Sequence, residues 1–272
     1  MNGESMIVAQ VSDTHVMTGG RLAYKVVDTA SHLQRCIAHI LALKQRPDAV
    51  VMTGDLTDGG KPEEYALLRE LIAPLTMPVY LMPGNHDDRD ALRAAFPDHA
   101  YLGRFPPFIQ YAIEEHALRI VAIDTVIPRA AGGELCEQRL AWLASALAAQ
   151  PQRPTLLLMH HPPFVTWIGH MDDIGLADAQ PLARIVAQHP QVERVLCGHL
   201  HRSIQVRFAG TIACTAPSTA HQVSLDLARD AAPTFAMEPP GYLLHAWSAT
   251  TGVVTHTAVV GEFAGPYSFG PH

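Results

Sequence analysis

The sequence AVVMTGDLTDGG, residues 49–60, starts as an apolar run and ends in a glycine-rich turn. An apolar run that stops at Gly54-Asp55 is typical of a buried strand that leads into a tight turn. The pattern therefore places the Asp55 carboxylate at the carboxyl end of a strand, where open α/β sheets bind their ligands. A single Gly-Asp turn is common, so the interpretation depends on how often the arrangement returns.

The same arrangement, an apolar run that ends in Asp, His or Asn, occurs four more times along the chain. The four runs are residues 6–12, 78–82, 155–159 and 194–197. The polar residues that follow the five runs are Asp13, His15, Asp55, Asn85, His86, His160, His199 and His201. Since randomly scattered polar residues would not follow an apolar run five times, we expect these side chains to collect at one edge of a sheet.

Length and composition indicate a large globular chain. Its 272 residues, 48% apolar and 17% charged, allow a generous core, and no apolar run is long enough to cross a bilayer. The N-terminus lacks the pattern of a secretory signal, and four widely spaced cysteines suit reduced thiols, so we expect a cytoplasmic protein without a membrane partner. The formal charge of −7 argues against a nucleic-acid polymer as partner, but a small anionic substrate is compatible with bound cations.

Alternating strands and helices over the first hundred residues predict parallel strands with right-handed crossovers. Helical spacing marks residues 28–46, 62–75, 88–96, 137–149 and 178–189. Residues 108–113 and 118–124 are predicted to form a hairpin, and 162–177 an ordered loop at the active site. Further strands are expected in a second, antiparallel sheet, at residues 203–208, 211–215, 241–246 and 252–259.

The predicted fold class is α/β, with two mixed β-sheets packed as a sandwich and helices on the outer faces. One catalytic domain is expected over residues 1–260. Residues 261–272 contain Gly, Pro, Tyr and Phe without periodicity, so an extended tail is predicted there, packed on this subunit or at an oligomer contact. A homo-oligomer, a dimer or larger, is the resulting expectation.

Asp, His and Asn without cysteine form a ligand set that suits Fe, Mn, Zn or Co better than Ca or Mg. Seven candidate ligands are too many for one ion and suit two ions that share a carboxylate. Asp55 is the best candidate for the shared ligand, because it stands alone at its strand end. The i, i+2 pairs Asp13/His15 and His199/His201 are compatible with extended backbone, in which alternate residues share a face.

The residues that carry a resemblance to a known family occur in order along the chain. They are Asp13-x-His15, Gly54-Asp55, Gly84-Asn85-His86-Asp87, His160 and Gly198-His199-x-His201. The series resembles the calcineurin-like metallophosphoesterase superfamily, over roughly the first three quarters of the chain. With GDLTDGG, PGNHD, MHHPPF and GHLHR, it looks most similar to the class III cyclic-nucleotide phosphodiesterases and their bacterial glycerophosphodiesterase relatives.

The resemblance implies an αββα fold and a site with two transition-metal ions, divalent or trivalent. It implies one ion held by Asp13, His15, Asp55 and His201, and the other by Asp55, Asn85, His160 and His199. A hydroxide made available near neutral pH by the two cations would attack phosphorus in line. His86 would stabilise the equatorial oxygens and protonate the departing alkoxide.

Three further residues keep two interpretations each. Asp58 is either a second catalytic residue that orients His86 or a plain turn residue. His161 either contacts the substrate or packs as a structural histidine. His221 resembles a histidine near the substrate pocket of the glycerophosphodiesterases, and substrate contact and packing are equally compatible with its position.

The leading functional hypothesis is a dinuclear-metal phosphodiesterase for small diesters, either cyclic nucleotides or glycerophosphodiesters. A phosphomonoesterase or nucleotidase of the same superfamily is the second enzyme hypothesis. A binding module that keeps the fold without catalysis is the third, and it is disfavoured because every ligand type is present.

Overall fold

A computed structural model describes residues 5–270 and contains two mixed sheets. The five-stranded sheet has the order β13-β12-β1-β2-β3. Its strands are β1 (Ser5–Val11), β2 (Ala49–Thr53), β3 (Val79–Met82), β12 (Gly241–Ser248) and β13 (Gly252–Val259). β1, β2 and β3 are parallel, as the β-α-β-α-β pattern predicts.

The six-stranded sheet has the order β4-β5-β6-β7-β9-β8, with parallel strands at its centre and an antiparallel strand at each edge. Its strands are β4 (Tyr111–Ile113), β5 (Arg119–Ala122), β6 (Thr155–Leu158), β7 (Val192–Cys197), β8 (Ile204–Phe208) and β9 (Thr211–Thr215). A two-stranded ribbon, β10 (Gln222–Val223) and β11 (Phe235–Ala236), lies outside both sheets.

Three strands differ from the sequence prediction in the sheet or the direction in which they pair. The strands at 241–248 and 252–259 do not belong to the second sheet, because β12 pairs antiparallel with β1 and β13 pairs with β12. In addition, β9 pairs parallel with β7. An isolated strand pattern shows which residues face the core, but it does not show which distant strand supplies the hydrogen-bonding partners.

Residues 5–270 contain six α-helices and one short 3-10 helix (Ala100–Gly103). The α-helices are α1 (Thr29–Ala42), α2 (Pro62–Ile72), α3 (Arg89–Ala95), α4 (Glu137–Ala148), α5 (Gly169–Asp172) and α6 (Gln180–Ala187). The side chain of Asp28 caps α1, and Pro62 occupies the first turn of α2. No helix among residues 5–270 has both the length and the apolar character needed to span a membrane.

Alternate residues of β6 show how the sandwich is filled. Leu156 and Leu158 belong to the core between the sheets, whereas Leu157 and Met159 pack with residues of α4 and α6 on the outer face. This alternation confirms the predicted sandwich with helices outside. Residues 261–270 form no helix or strand and are exposed, and the last two residues of the predicted tail lie outside the described part of the chain.

A buried polar chain links the two sheets near their centre. The Gln10 amide donates to Thr53 Oγ1 at 3.0 Å and to the Cys197 carbonyl at 2.9 Å, so it joins β2 to β7. His245 Nε2 donates to Gln10 Oε1 at 3.1 Å. Burial lowers the pKa of His245 to about 3, and Arg194 adds to the effect, so the folded protein holds this imidazole neutral.

His245 therefore predicts an acid-sensitive component of stability. Above pH 6.5 the ring is neutral in both states and contributes no pH dependence. As the pH falls from 6.5 towards 3, only the unfolded chain takes up the proton, so the free energy of unfolding decreases by up to ~1.4 kcal/mol per pH unit. Urea denaturation between pH 7 and 5 should show a shallower decline for His245→Gln than for wild type. His256→Gln, an exposed change on β13, is the matched control, and equal slopes in both variants contradict the assignment.

Candidate metal centre

The candidate site lies where five strands of both sheets end. β1, β2 and β3 lead to Asp13, His15, Asp55, Asn85 and His86, whereas β6 and β7 lead to His160, His199 and His201. The prediction that these residues collect at the edge of one sheet is corrected in this respect. The carboxyl ends of two sheets meet, because the sandwich brings β2 and β7 together across the core.

The backbone at the site is unusual. Positive φ angles are found at Asp13 (53°), His15 (41°), Asp55 (49°), His199 (71°) and His201 (51°). Residues other than glycine rarely adopt this left-handed region, and such residues cluster at functional sites. The sequence pattern suggested that the residues of each i, i+2 pair share a face of extended backbone. The positive φ angles show that they do not. Each pair occupies a left-handed turn beyond its strand.

Gly84 allows the turn after β3 to approach the turn after β2. A Cβ atom added at Gly84 would overlap Asp55 and would lie 2.7 Å from His160 Cε1. Gly54, with φ 93°, has a similar constraint, because its Cβ would lie 2.5 Å from His160 Nδ1. The His160 imidazole and the Asp55 carboxylate occupy the space beside these glycines. A side chain at either glycine would fill that space.

Asp13, His15 and His201 form one half of the site. The Nε2 atoms of His15 and His201 lie 3.1 Å apart, and Asp13 Oδ1 lies 3.6 Å from His201 Nε2. His201 directs Nε2 inward because its Nδ1–H donates to the His221 carbonyl at 3.1 Å. A backbone carbonyl that holds Nδ1–H in this way leaves the Nε2 lone pair available to an ion.

Asp55, His160 and Asn85 form the other half. His160 Nδ1–H donates to the Thr53 carbonyl at 2.8 Å, and its Nε2 lies 3.1 Å from Asn85 Oδ1 and 3.4 Å from Asp55 Oδ2. The same Asp55 oxygen lies 3.6 Å from His15 Nε2, so it stands between the two halves. This geometry is the one expected of a carboxylate shared by two ions.

The buried carboxylates and imidazoles of the site shift one another's pKa values. Burial raises the pKa of Asp13 to about 6, with the Asp55 charge adding to it. Burial lowers the pKa of His160, but the Asp55 carboxylate outweighs this effect and raises the pKa to about 9. Burial also lowers the pKa of His199 and His201 to about 3, so both imidazoles stay neutral. Neutral imidazoles beside buried carboxylates are the form in which these groups bind metal ions.

Two of the inward-facing atoms have no partner within residues 5–270. Asp13 Oδ2 and His199 Nε2 are buried and make no hydrogen bond. Buried polar atoms are satisfied in the great majority of cases, so an orphaned carboxylate oxygen and an orphaned imidazole nitrogen at the same site call for a ligand. The donor set of carboxylate oxygen, amide oxygen and imidazole nitrogen therefore fits transition-metal ions.

His86 lies beside this centre and is held by two backbone contacts. Its Nδ1–H donates to the Asp58 carbonyl at 2.8 Å, and its backbone N–H donates to Asp55 Oδ1 at 2.9 Å. Its Nε2 is consequently the ring nitrogen left for a substrate. The side-chain carboxylate of Asp58 turns instead to His15, with 3.5 Å between Oδ1 and Nδ1. Asp58 thus orients His86 through its backbone carbonyl and not through its carboxylate. The sequence interpretation did not specify which Asp58 atom would do so.

His161 and His221, the two candidates for substrate contact, have different surroundings. His161 is fully buried, its Nε2–H donates to the Ala131 carbonyl at 3.0 Å, and its Nδ1 lies 2.8 Å from Thr125 Oγ1. Both of its nitrogens are used within the protein, which favours the packing interpretation. His221 lines the cavity above the site, with its ring 4.6 Å from that of His201, so substrate contact remains a prediction there.

Asp87 ties two of the turns together, a role that the sequence analysis did not assign. Its carboxylate accepts hydrogen bonds from the Leu56 and Gly84 amides, at 3.0 and 2.9 Å, and from the Tyr65 hydroxyl at 2.9 Å. The turn after β3 is therefore fixed against the turn after β2. A buried Asp directly after a ligand run is a signal for such an anchor, but sequence alone does not show which amides it accepts from.

A cavity of about 360 Å³ opens above the site, with an aromatic and aliphatic wall. Tyr24 and Phe235 are part of this wall, with ring centroids 4.8 Å apart. Sequence reasoning missed both residues, because Tyr24 lies in a loop and Phe235 in the short strand β11, and neither belongs to a motif. His170 and Met171 from the predicted active-site loop also line it.

Comparisons with known proteins agree with this geometry. A model of the calcineurin-like phosphoesterase family matches residues 6–203. The chain is 42% identical over 265 residues to a probable glycerophosphodiester phosphodiesterase, GpdQ, of Arcobacter nitrofigilis, with 97% of each chain covered. It is 32% identical over 221 residues to the 3',5'-cyclic adenosine monophosphate phosphodiesterase CpdA of Escherichia coli, with 81% of this chain and 78% of the relative covered.

Among solved structures, a dimetal phosphatase from Danio rerio shares the fold. Its TM-score is 0.63 at 15% identity, with 94% of this chain and 99% of that chain covered. The family match extends over most of the chain and includes the turns from Asp13 to His201. The chain belongs to the calcineurin-like phosphoesterase family.

Proposed function

We propose that this protein hydrolyses small phosphodiesters at a dinuclear metal centre. Calcineurin-like phosphoesterases use such a centre, and the structure contains His/Asp groups able to hold metal ions. The observation that carries the proposal is the position of Asp55 Oδ2 between His15 and His160, with further ligands converging on either side. The names of the relatives, a glycerophosphodiester phosphodiesterase and a cyclic-nucleotide phosphodiesterase, support diesters as the substrate class.

The proposed ligands divide into two sets that share Asp55. One ion would be held by Asp13, His15, Asp55 and His201, and the other by Asp55, Asn85, His160 and His199. Support comes from the convergence of Asp13, His15 and His201 in one group, and of Asp13, Asp55 and His160 in another, with ligand atoms within 4.8 Å of one another. Fe, Mn, Zn and Co all suit these donors.

The chemistry divides between the ions and the chain. Two bound cations would act as Lewis acids on the phosphoryl oxygens and lower the pKa of water enough to supply a nucleophile near neutral pH. His86 directs Nε2 towards the space in which a phosphoryl group would lie, because its Nδ1–H is held by the Asp58 carbonyl. In the imidazolium form His86 would hold a proton at Nε2, stabilise negative charge on phosphorus oxygens and protonate the departing alkoxide. Asp58 would position both His86 and His15.

A rate panel tests the proposal. Protein reconstituted separately with Mn, Zn, Co and Fe is assayed on cyclic nucleotides, glycerophosphodiesters and p-nitrophenyl phosphate, with metal content measured for each preparation. Diester rates above the monoester rate at about two metal ions per chain are the expected result. A faster monoester rate would favour a phosphomonoesterase. Inactive protein with less than one metal ion per chain would favour a non-catalytic binding module.

Four expectations from the sequence remain proposals. A cytoplasmic location and a homo-oligomer are retained as predictions, as is the absence of a nucleic-acid polymer among the partners. The division into a catalytic domain over 1–260 and a tail over 261–272 is likewise proposed. The exposed aromatic side chains Phe263, Tyr267 and Phe269 support a contact role for that tail.

A further inference from the structure

The hydroxyl group of Tyr65 lies behind the metal centre and has no role in the function proposed so far. Tyr65 belongs to α2, and its ring is buried in the core together with Leu68 and Ile72 of the same helix. A phenylalanine would fill the same volume without a polar atom. Because burial of a hydroxyl costs free energy unless it is hydrogen-bonded, the partners of Tyr65 Oη indicate what this group does.

Two partners of Tyr65 Oη belong to the residues that follow His86 directly in the chain. The hydroxyl donates to Asp87 Oδ1 at 2.9 Å and accepts from the backbone N–H of Asp88, also at 2.9 Å. Burial raises the pKa of Tyr65, and the Asp87 carboxylate adds to this effect, so the hydroxyl stays protonated at neutral pH. Tyr65 thus fixes the chain between His86 and helix α3.

The Asp87 carboxylate joins the two turns that determine the orientation of the His86 ring. Its Oδ2 accepts from the backbone N–H of Gly84, at the start of the turn that carries His86, at 2.9 Å. Its Oδ1 accepts from the backbone N–H of Thr57 at 3.2 Å. Thr57 directly precedes Asp58, whose carbonyl accepts from His86 Nδ1–H at 2.8 Å. The donor and the acceptor of that hydrogen bond therefore both depend on the position of Asp87.

Tyr65 connects this pair of turns to the core of the domain. In the part of the chain that the structure describes, it is the only partner of the Asp87 carboxylate that comes from neither turn. The turn after β2 has a second contact with α2, because Glu64 Oε2 accepts from the Gly59 N–H at 2.9 Å. The turn that carries His86 has its contact with α2 through the Tyr65 hydroxyl, so its position depends on that group.

We propose that Tyr65 is a positioning residue for hydrolysis: its hydroxyl, acting through Asp87 and the Asp88 amide, holds His86 Nε2 where it protonates the departing alkoxide. The proposal rests on the phosphodiesterase function proposed above and deepens it. Tyr65 is fully buried and does not line the cavity above the metal centre, so it acts on the reaction only through other residues. A general acid must be held within about 0.5 Å of its productive position, so a small displacement of the turn slows proton transfer.

Tyr65→Phe tests the role, because it removes the hydroxyl and keeps the ring in the core. In metal-loaded protein, kcat for alkyl diesters should fall about 10-fold, the size expected when a hydrogen bond to a charged group is lost. For p-nitrophenyl diesters kcat should fall less than about 2-fold, since this leaving group departs without a proton. Metal content should stay the same, because Gly84 and Leu56 keep their hydrogen bonds to Asp87.

A double-mutant cycle shows whether Tyr65 acts through His86. In the His86→Ala background, Tyr65→Phe should lower kcat for alkyl diesters by less than about 2-fold, because the group that it positions is gone. A general loosening of the fold would lower the rate about 10-fold in either background. Tyr242→Phe, which removes another buried hydroxyl, 3.0 Å from His39 Nδ1, is the matched control and should keep the wild-type rates for both esters.

The outcomes separate this role from the proposed function. If Tyr65→Phe keeps the alkyl rate, slows both esters equally, loses metal or is fully additive with His86→Ala, the role of Tyr65 is wrong and the phosphodiesterase function stands. If wild type hydrolyses neither ester, the proposed function itself is wrong. Asp87→Asn, which keeps the side-chain shape and weakens acceptance from Tyr65, should show the same selective loss for alkyl diesters. It carries the test if circular dichroism shows that Tyr65→Phe does not fold.

Discussion

Asp55→Asn is expected to slow hydrolysis severely and to lower the metal content below two ions per chain. Asp55 Oδ2 is the oxygen that stands between His15 and His160, and a neutral amide is a much weaker ligand than a carboxylate. Loss of one ion removes about 4 kcal/mol of transition-state stabilisation, which corresponds to a decrease in kcat/KM of roughly 1,000-fold. Elemental analysis and steady-state kinetics on the same preparation measure both effects.

The Asn variant is suited to this experiment because Asn tolerates the left-handed backbone of residue 55, where φ is 49°. Its far-UV circular dichroism should therefore match that of wild type. Asp98→Asn, which changes an exposed carboxylate, is the control and should keep both ions and full activity. An Asp55→Asn protein with two ions and a near-normal rate would contradict the shared-ligand assignment.

His86→Ala is expected to slow the reaction in proportion to how poor the leaving group is. Because His86 would protonate the departing alkoxide, its loss should reduce kcat by about 10² to 10⁴-fold for alkyl esters such as glycerophosphodiesters. For p-nitrophenyl diesters, whose leaving group departs without a proton, the reduction should be less than about 10-fold. Metal content should stay the same, since His86 is outside the proposed ligand sets.

The dependence on the leaving group is the decisive part of this measurement. An equal decrease in kcat for alkyl and p-nitrophenyl esters would contradict the general-acid role of His86 and would leave charge stabilisation as its contribution. A decrease that accompanies loss of metal would instead make His86 a ligand, which its distance from Asp55 and His15 allows. His256→Ala, at an exposed position on β13, controls for the loss of a histidine.

The sequence predicted most of the sandwich because apolar strands and amphipathic helices follow local periodicities. β1 (Ser5–Val11) and β2 (Ala49–Thr53) lie within about one residue of the apolar runs that predicted them, and the glycines after the second run mark its turn. The pairing of β12 with β1 was not predictable, since Ser5 and Ser248 meet across more than two hundred residues. Local pattern identifies a strand, but long-range packing decides to which sheet it belongs.

The convergence of the candidate residues was predictable from the sequence, but their geometry was not. The five strand ends named the residues, and the structure brings them together. The sequence did not indicate that the Asp58 carboxylate contacts His15, nor that both nitrogens of His161 are used within the protein. Side-chain directions depend on the left-handed turns, and a turn conformation adopted by Asp or His leaves no clear mark in a single sequence. A further cavity of about 440 Å³, lined in part by His86, Arg89 and Arg129, was also missed, since its wall comes from separate parts of the chain.

The left-handed turns at Asp13, His15, Asp55, His199 and His201 also limit how this chain can evolve. Glycine, asparagine and aspartate accept such a backbone, whereas valine and isoleucine do not. A descendant that abandoned catalysis would therefore drift first towards Gly or Asn at these codons, and aliphatic replacements would be removed by selection for folding alone. The residue types at these positions would therefore still mark the site after its activity had been lost.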